Sequence, residues 1–347
     1  MVTIINIIMS MACLLVVKAS PYQVENFKQK QESQFSLLMP NAKPTQPETY
    51  LCTTIRLDKN TTNYITGFNP QAEMGTAHHM LLFGCKEPGL REPLYSCGEM
   101  GIRLVGTKQA APCQSGQEII YAWAKNAPEL SLPPGVGFKV GGPKSGIEFL
   151  VLQVHYVSID RIPRSGDRSG VILRYTDKPQ RKRAGVYVLE TGGMIPPKTT
   201  SYMETACKLN TKLKIHPFAF RTHTHALGRV VSGWRVSPGM QWSLIGKKDP
   251  QLPQMFYPIA DPHMTMTGGN TIAARCTMVS LRNRITWVGA TAEDEMCNFY
   301  MMYWVDGQDK LSNERCFSLG PPVYSWDRWI VGGGLTNIPD REASSLL

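Results

Sequence analysis

Apolar residues occur along the chain in short runs, many of which alternate with polar residues, and Gly or Pro separates the runs. The strand pattern is clearest at 146–157, 186–189, 218–227, 230–236, 241–245, 272–279 and 299–305. No long amphipathic stretch with the helical period occurs. We therefore predict an all-β protein made of two antiparallel, jelly-roll-like β-sandwich domains.

The first twenty residues have the pattern of a secretory signal peptide. Residues 4–17 are almost wholly apolar, and the small residues Ala19 and Ser20 follow where signal peptidase cuts. This run is too short for a membrane span, and no later stretch reaches the length needed to cross a bilayer. Residues 21–33 are polar and are expected to form a loose tail. We expect the mature chain in the secretory pathway, in a vesicle lumen or secreted, with no membrane span.

A Gly/Pro-rich break after residue 190 divides the rest of the chain. It predicts an N-terminal domain over 34–195, a C-terminal domain over 196–339 and a polar tail over 340–347. Once Cys13 leaves with the signal peptide, eight cysteines remain, four between 52 and 113 and four between 207 and 316. Two separate even clusters indicate two domains, each with its own disulfides, in an oxidising compartment. Spacing alone does not decide the pairing.

Charge changes this picture little. The 37 basic and 27 acidic residues give a net charge of +10, but the basic side chains are scattered and lack a nucleic-acid-binding motif. We expect no nucleic-acid partner. The run Arg181-Lys182-Arg183 is interpreted as an exposed loop, with a processing site as the alternative. Asn60 begins a glycosylation sequon, Asn60-Thr61-Thr62, so the chain is a candidate glycoprotein.

Histidines supply the candidate chemistry. Five of the seven fall in three short segments: His78-His79, His155 and His223-Thr224-His225. In the third segment, strand alternation places Arg221, His223 and His225 on one face. Phe218 and Phe220 lie on the other face and anchor the strand in the core. Two imidazoles two residues apart can converge on one metal ion, and this pattern leaves zinc and copper as alternatives.

Strand alternation also predicts which side chains share a face in the other segments. Met296, Asn298 and Tyr300 share a face if 295–300 is extended. Gln153 shares a face with His155 in the same way.

The adjacent residues His78 and His79 present a different problem, because a regular strand would point them in opposite directions. Both could bind one metal only if the backbone twists and if they use unlike ring nitrogens.

Taken in order, these segments resemble the motifs of the copper type II, ascorbate-dependent monooxygenases, above all the peptidylglycine-hydroxylating branch. The segments that carry the resemblance are His78-His79-Met80, Leu152-Gln153-Val154-His155-Tyr156, Arg221-Thr222-His223-Thr224-His225-Ala226-Leu227-Gly228 and Asp294-Glu295-Met296-Cys297-Asn298-Phe299-Tyr300. The similarity spans about residues 36–316, nearly the whole mature chain.

The resemblance implies two copper ions that cycle between Cu(I) and Cu(II), one on each side of a cleft between the domains. Ascorbate would reduce both, and O2 would be the co-substrate. The electron-transfer copper would be held by His78, His79 and His155. The copper at which O2 reacts would be held by His223, His225 and Met296. A soft thioether ligand favours Cu(I), in agreement with this division.

The resemblance also implies the substrate. Peptides with a C-terminal glycine would be hydroxylated at the glycine Cα, the first step of C-terminal amidation, as in neuropeptide processing. Arg221 would hold the terminal carboxylate, and Asn298 and Tyr300 would bind the peptide backbone, with Tyr300 counted among the catalytic residues beside the second copper.

Two further expectations follow from the family pattern. The disulfide pairs would be Cys52–Cys97, Cys85–Cys113, Cys207–Cys316 and Cys276–Cys297. The lyase domain that relatives often carry finds no room after Leu347, so a separate lyase is expected to act on the hydroxyglycine product.

Three alternatives remain open. A catecholamine-type β-hydroxylase of the same superfamily shares the copper ligands, but it usually carries an extra N-terminal domain. A zinc hydrolase would not need a methionine ligand beside a second, three-histidine set. A secreted copper-binding or adhesive protein would need neither an open coordination position nor an arginine beside the metal.

Overall fold

The computed structural model describes residues 32–98, 108–289, 291, 293–328 and 333–347, and almost all of its regular structure is β-strand. The strands of the first half are β1 (Ser33–Leu38), β2 (Thr49–Arg56), β3 (Asn63–Gln71), β4 (His79–Cys85), β5 (Glu87–Pro88), β6 (Tyr95–Ser96), β7 (Cys113–Ser115), β8 (Glu118–Ala124), β9 (Leu130–Ser131), β10 (Val136–Val140), β11 (Phe149–Tyr156) and β12 (Gly170–Thr176). Those of the second half are β13 (Lys182–Thr191), β14 (Met194–Ile195), β15 (Thr200–Lys208), β16 (Ile215–Thr224), β17 (Gly228–Val236), β18 (Trp242–Lys248), β19 (Tyr257–Pro258), β20 (Thr271–Val279), β21 (Thr286–Trp287), β22 (Cys297–Asp306) and β23 (Arg315–Ser318). A short helix, α1 (Arg341–Ser344), lies in the predicted polar tail.

The first half is a β-sandwich. Strands β1-β12-β3-β10 form one layer and β6-β2-β11-β4-β8 form the other. Side chains from both layers share one buried core, in which the rings of Phe68 on β3 and Tyr121 on β8 stack 4.4 Å apart. The central strand of the second layer is β11, which is buried along its whole length because it has a strand on each side and the core on one face.

The second half repeats this architecture with different strands. The layer β13-β22-β16-β19 packs on the layer β15-β20-β17-β18 around a second core. Gly233 on β17 shows how closely the layers approach, because a Cβ there would lie 2.1 Å from a ring carbon of Phe299 on β22. The prediction of an all-β protein with two β-sandwich domains is confirmed.

The strand β13 connects the halves. It pairs with β22 at nine positions and in parallel with β10 at two, so the main sheets of both halves are continuous. The predicted boundary at 195/196 assigns this strand to the N-terminal domain, although most of its partners lie in the second half. Residues 32–347 form one compact unit by their contacts, and the boundary stays a prediction.

The interpretation of residues 181–183 as an exposed loop holds for Arg181, which is exposed and precedes β13, and is wrong for the next two residues. Lys182 and Arg183 begin β13, and Arg183 is buried. Its guanidinium donates to the carbonyl oxygens of Gln308 at 2.9 Å and Ser145 at 3.0 Å, which compensates for its burial. A processing enzyme therefore has no open segment to cut at Arg183.

Each disulfide bond joins two residues of the same half. The structure contains Cys52–Cys97 and Cys85–Cys113 in the first half and Cys207–Cys316 and Cys276–Cys297 in the second. All four expected pairs are confirmed. The predicted signal peptide (1–20) and most of the loose tail (21–33) lie outside the described residues, and β1 already begins at Ser33. Within the described part of the chain, no helix is long and apolar enough to cross a membrane.

Candidate metal centre

Three histidines of the first half converge at one end of the five-stranded layer. The register of β11 against β4 places His155 opposite His79, and His78 lies in the bend that immediately precedes β4. One ring nitrogen of each histidine lies within 4.8 Å of those of the other two. The structure therefore brings the three residues of the predicted electron-transfer site together.

The bend at His78 resolves the problem posed by two adjacent histidines. Because His78 is not part of the regular strand, its ring can turn toward that of His79, and their Nδ1 atoms lie 3.3 Å apart. The two Nδ1 atoms face each other, and the expectation that the two residues use unlike ring nitrogens stays a prediction.

The third histidine fits a metal site by its unused atom. His155 Nε2 contacts Glu48 Oε2 at 3.0 Å, whereas its Nδ1 is buried and has no hydrogen-bond partner among the residues that the structure describes. A buried polar atom without a partner is costly, and a metal ion would satisfy it. Imidazole nitrogens suit copper and zinc alike, so this set fits the copper that the resemblance implies.

Burial keeps these rings neutral. Burial, helped by the neighbouring histidines, lowers the pKa of His78 to about 4 and the pKa of His79 well below its ordinary value. Burial also lowers the pKa of His155, although the Glu48 carboxylate opposes the shift. Only a neutral imidazole offers a lone pair to a metal, so the site is prepared for one at neutral pH.

The second predicted ligand set lies at the end of β16 and the start of β22. The register of these strands places His223 opposite Asn298 and Arg221 opposite Tyr300, so the two sequence segments become neighbours. The rings of His223 and His225 lie 5.5 Å apart, and Met296 lines the same cavity as His223.

Hydrogen bonds determine which nitrogen of these two histidines is available. Gln254 Oε1 lies 2.7 Å from His223 Nδ1, and the carbonyl oxygen of Asp294 lies 3.1 Å from His225 Nδ1. Both oxygens accept, so each Nδ1 carries the proton and each Nε2 keeps its lone pair. The donor set of two Nε2 atoms and a thioether fits copper, which binds both ligand types.

A buried carboxylate links the segments that carry His225 and Met296. Glu295 accepts hydrogen bonds from the backbone N–H groups of His225 at 2.6 Å, Leu227 at 2.7 Å and Met296 at 2.9 Å. Three charge-assisted bonds hold the end of β16 against the start of β22. The sequence prediction assigned no role to Glu295 or to Gln254, since both lie outside the alternating strand positions.

Arg221 is almost completely buried beside the second set. Its Nε donates to the Gln254 carbonyl oxygen at 2.9 Å and its Nη2 to Gln254 Oε1 at 3.0 Å, and its guanidinium lies 5.0 Å from the centre of the Tyr300 ring. Burial lowers its pKa. Among the described residues, no Asp or Glu forms a salt bridge with Arg221, so the structural ion pair that usually explains a buried arginine is not found there.

One cavity of about 850 Å³ reaches both ligand sets, the first through His79 and the second through His223 and Met296, whereas His78, His155 and His225 are not part of its wall. Its wall includes His79 and Gln153 from the first half and the predicted site residues Arg221, His223, Met296, Asn298 and Tyr300 from the second. The rings of His79 and His223 lie 5.8 Å apart. The two predicted sites therefore meet at one cavity between two β-sandwiches, the arrangement expected of a protein with two neighbouring metal centres.

Comparison with known proteins agrees with this arrangement. Residues 35–163 match the N-terminal domain, and residues 182–329 the C-terminal domain, of the copper type II ascorbate-dependent monooxygenases. The chain belongs to this family.

Individual relatives give the same result. Peptidyl-glycine alpha-amidating monooxygenase A of Xenopus laevis is 43% identical over 287 residues, which are 82% of this chain and 29% of that protein. The Rattus norvegicus peptidylglycine alpha-amidating monooxygenase is 41% identical over 80% of this chain and 27% of its own length. Human dopamine beta-hydroxylase is 28% identical over 77% of this chain and 45% of its own length. The chain thus spans less than a third of the amidating relatives.

Proposed function

We propose that this chain is a copper- and ascorbate-dependent monooxygenase that hydroxylates the Cα of a C-terminal glycine in peptides. The observation that carries the proposal is the arrangement of Arg221, His223 and Met296 on the wall of one cavity. An anion-binding group thereby stands beside a candidate copper site. The 41–43% identity to amidating monooxygenases supports the same substrate class.

Arg221 accounts for the requirement for a free carboxylate. A buried guanidinium is costly without an anion, and the described part of the chain offers it carbonyl oxygens and an aromatic ring. A peptide carboxylate would satisfy it with charge-assisted hydrogen bonds. A carboxylate held there places the terminal glycine next to His223 and Met296, within the same cavity.

Asn298 and Tyr300 complete the proposed peptide site. They follow Met296 on one face of β22, and Asn298 Nδ2 lies 3.5 Å from the Tyr300 hydroxyl and 4.0 Å from Met296 Sδ. Their polar groups would bind the peptide backbone and orient the glycine. Copper, reduced by ascorbate, supplies the activation of O2. In the overall reaction, one oxygen atom enters the Cα–H bond and the other leaves as water, with two electrons from ascorbate and two protons.

The proposal includes the cellular compartment and the reaction that follows. The four disulfides indicate an oxidising compartment, and with the apolar N-terminal segment they support a secretory vesicle or secretion. A hydroxyglycine peptide needs a second reaction, cleavage of its N–Cα bond, to become an amide. We expect a lyase to perform that step.

A substrate comparison tests the proposal. The copper-loaded chain is assayed for ascorbate-dependent O2 consumption with a peptide ending in free glycine, with the same peptide amidated at that glycine, and with a phenethylamine. We expect turnover of the free acid only. Equal turnover of the amidated peptide would refute the carboxylate site, and a preference for the phenethylamine would identify a β-hydroxylase instead.

A further inference from the structure

Glu48 lies directly before β2, beside the three-histidine set but outside every motif that predicted the set. Its Oε2 contacts His155 Nε2 at 3.0 Å, and the Tyr50 ring stacks on the His155 ring at 3.9 Å with an angle of 6°. An ionised carboxylate can only accept a hydrogen bond, so Nε2 carries the proton. The lone pair is therefore on Nδ1, the buried atom that lacks a hydrogen-bond partner in the described part of the chain.

The backbone at Glu48 supports a specific purpose for this contact. Its φ is 56°, in the left-handed region that a residue with a side chain enters only at an energetic cost. Such a conformation persists where the surrounding structure imposes it, and it clusters at functional sites. The next two residues, Thr49 and Tyr50, pair with Tyr156 and His155 of β11, so the strained residue is held at the site by the sheet itself.

We propose that Glu48 is a positioning residue of the three-histidine metal site. It fixes the tautomer of His155, aims Nδ1 at the point where the three rings converge, and strengthens that nitrogen as an electron donor. A carboxylate that accepts from a ligating histidine generally makes the imidazole a stronger ligand. This stabilises Cu(II) more than Cu(I), so Glu48 would lower the reduction potential of this copper. The inference rests on copper binding at this set and not on the identity of the peptide substrate.

A merely structural ion pair is the competing explanation, and two substitutions separate the explanations. Glu48→Gly removes the carboxylate at a position whose φ suits glycine, so the fold is expected to tolerate it. Glu48→Gln keeps a hydrogen-bond acceptor but removes the charge. Glu148→Gln is the matched control, because Glu148 is exposed and directly precedes β11 at the opposite end of the β2–β11 pair.

The experiment measures copper affinity in the full-length chain by competition with a chelator, together with the Cu(II) electron paramagnetic resonance spectrum and the melting temperature. In Glu48→Gly we expect the affinity of one of the two copper ions to fall about 10–100-fold, with a changed spectrum for that ion. The other ion should stay bound with normal affinity, and Glu48→Gln should show a smaller loss.

Wild-type affinities and an unchanged spectrum in Glu48→Gly would overturn the inference, as would a fall in melting temperature with copper binding intact. Peptide turnover is not a readout, so a failure of the proposed substrate would leave these results unchanged.

Discussion

The imidazole rings of His79 and His223 lie 5.8 Å apart between their centroids, at an angle of 65°. One belongs to the three-histidine set of the first half and the other to the ligand set of the second half. The two candidate copper sites are therefore neighbours, and an electron passing between them has a short path. This arrangement explains how two sites could act on one substrate. Because the two sites use different ligand residues, each can be tested by its own substitutions.

Met296→Ile should abolish turnover while one copper ion stays bound. The substitution preserves an apolar side chain but removes the thioether, so only the set with His223 and His225 loses a ligand. Metal analysis and O2 consumption check this together. Met74→Ile is the control, since Met74 is 50% exposed. Loss of both copper ions, or full activity with one, would contradict the ligand assignment.

Gln254→Ala should weaken both metal and substrate binding at the second site. Its side-chain oxygen accepts from His223 Nδ1 and from Arg221, so its removal frees one imidazole ring and one guanidinium that are now held by the same atom. We expect about 10–100-fold weaker copper binding at that site and a raised peptide KM. Gln71→Ala, at an exposed strand end, should behave like the wild type. If the KM changed while copper affinity stayed normal, Gln254 would support peptide binding through Arg221 but would not support copper binding through His223.

Arg221→Ala should raise the peptide KM steeply while both copper ions stay bound. Arg221→Lys should restore little, because an ammonium group cannot reproduce the planar fork of the guanidinium. Steady-state kinetics with a glycine-extended peptide measures the effect, and Arg91→Ala supplies an exposed control that pairs with Glu87. A normal KM in Arg221→Ala would show that the carboxylate is bound elsewhere.

Much of this site followed from the sequence because β22 and β16 pair regularly from Ala219 onward, after a register shift between Pro217 and Ala219. Alternation correctly places Arg221 and His223 together, and Asn298 with Tyr300, on the cavity wall. The residues that support them were missed for a physical reason. Glu48 precedes a strand and Gln254 lies in a loop, so neither has a periodic position from which a face could be read. The register that joins the segments is a long-range property that local alternation does not contain.

Glu314 should make stability depend on pH. Burial raises the pKa of this carboxyl, although Lys310 at 2.6 Å opposes the shift. The folded chain therefore resists its ionisation more than the unfolded chain does, and the free energy of unfolding should fall as pH rises above the ordinary range of glutamate. Glu314→Gln removes the titration, so we expect the difference between wild type and variant to change with pH in urea unfolding. A difference that stays constant across pH would contradict this prediction.

The most direct test of the central claim follows an oxygen atom. The copper-loaded chain is incubated with ascorbate, isotopically labelled dioxygen and a peptide that ends in glycine, and the product is analysed by mass spectrometry. The account predicts one labelled oxygen atom on the Cα of the terminal glycine, with no reaction when copper is removed. Unlabelled product, or hydroxylation at any other carbon, would contradict it.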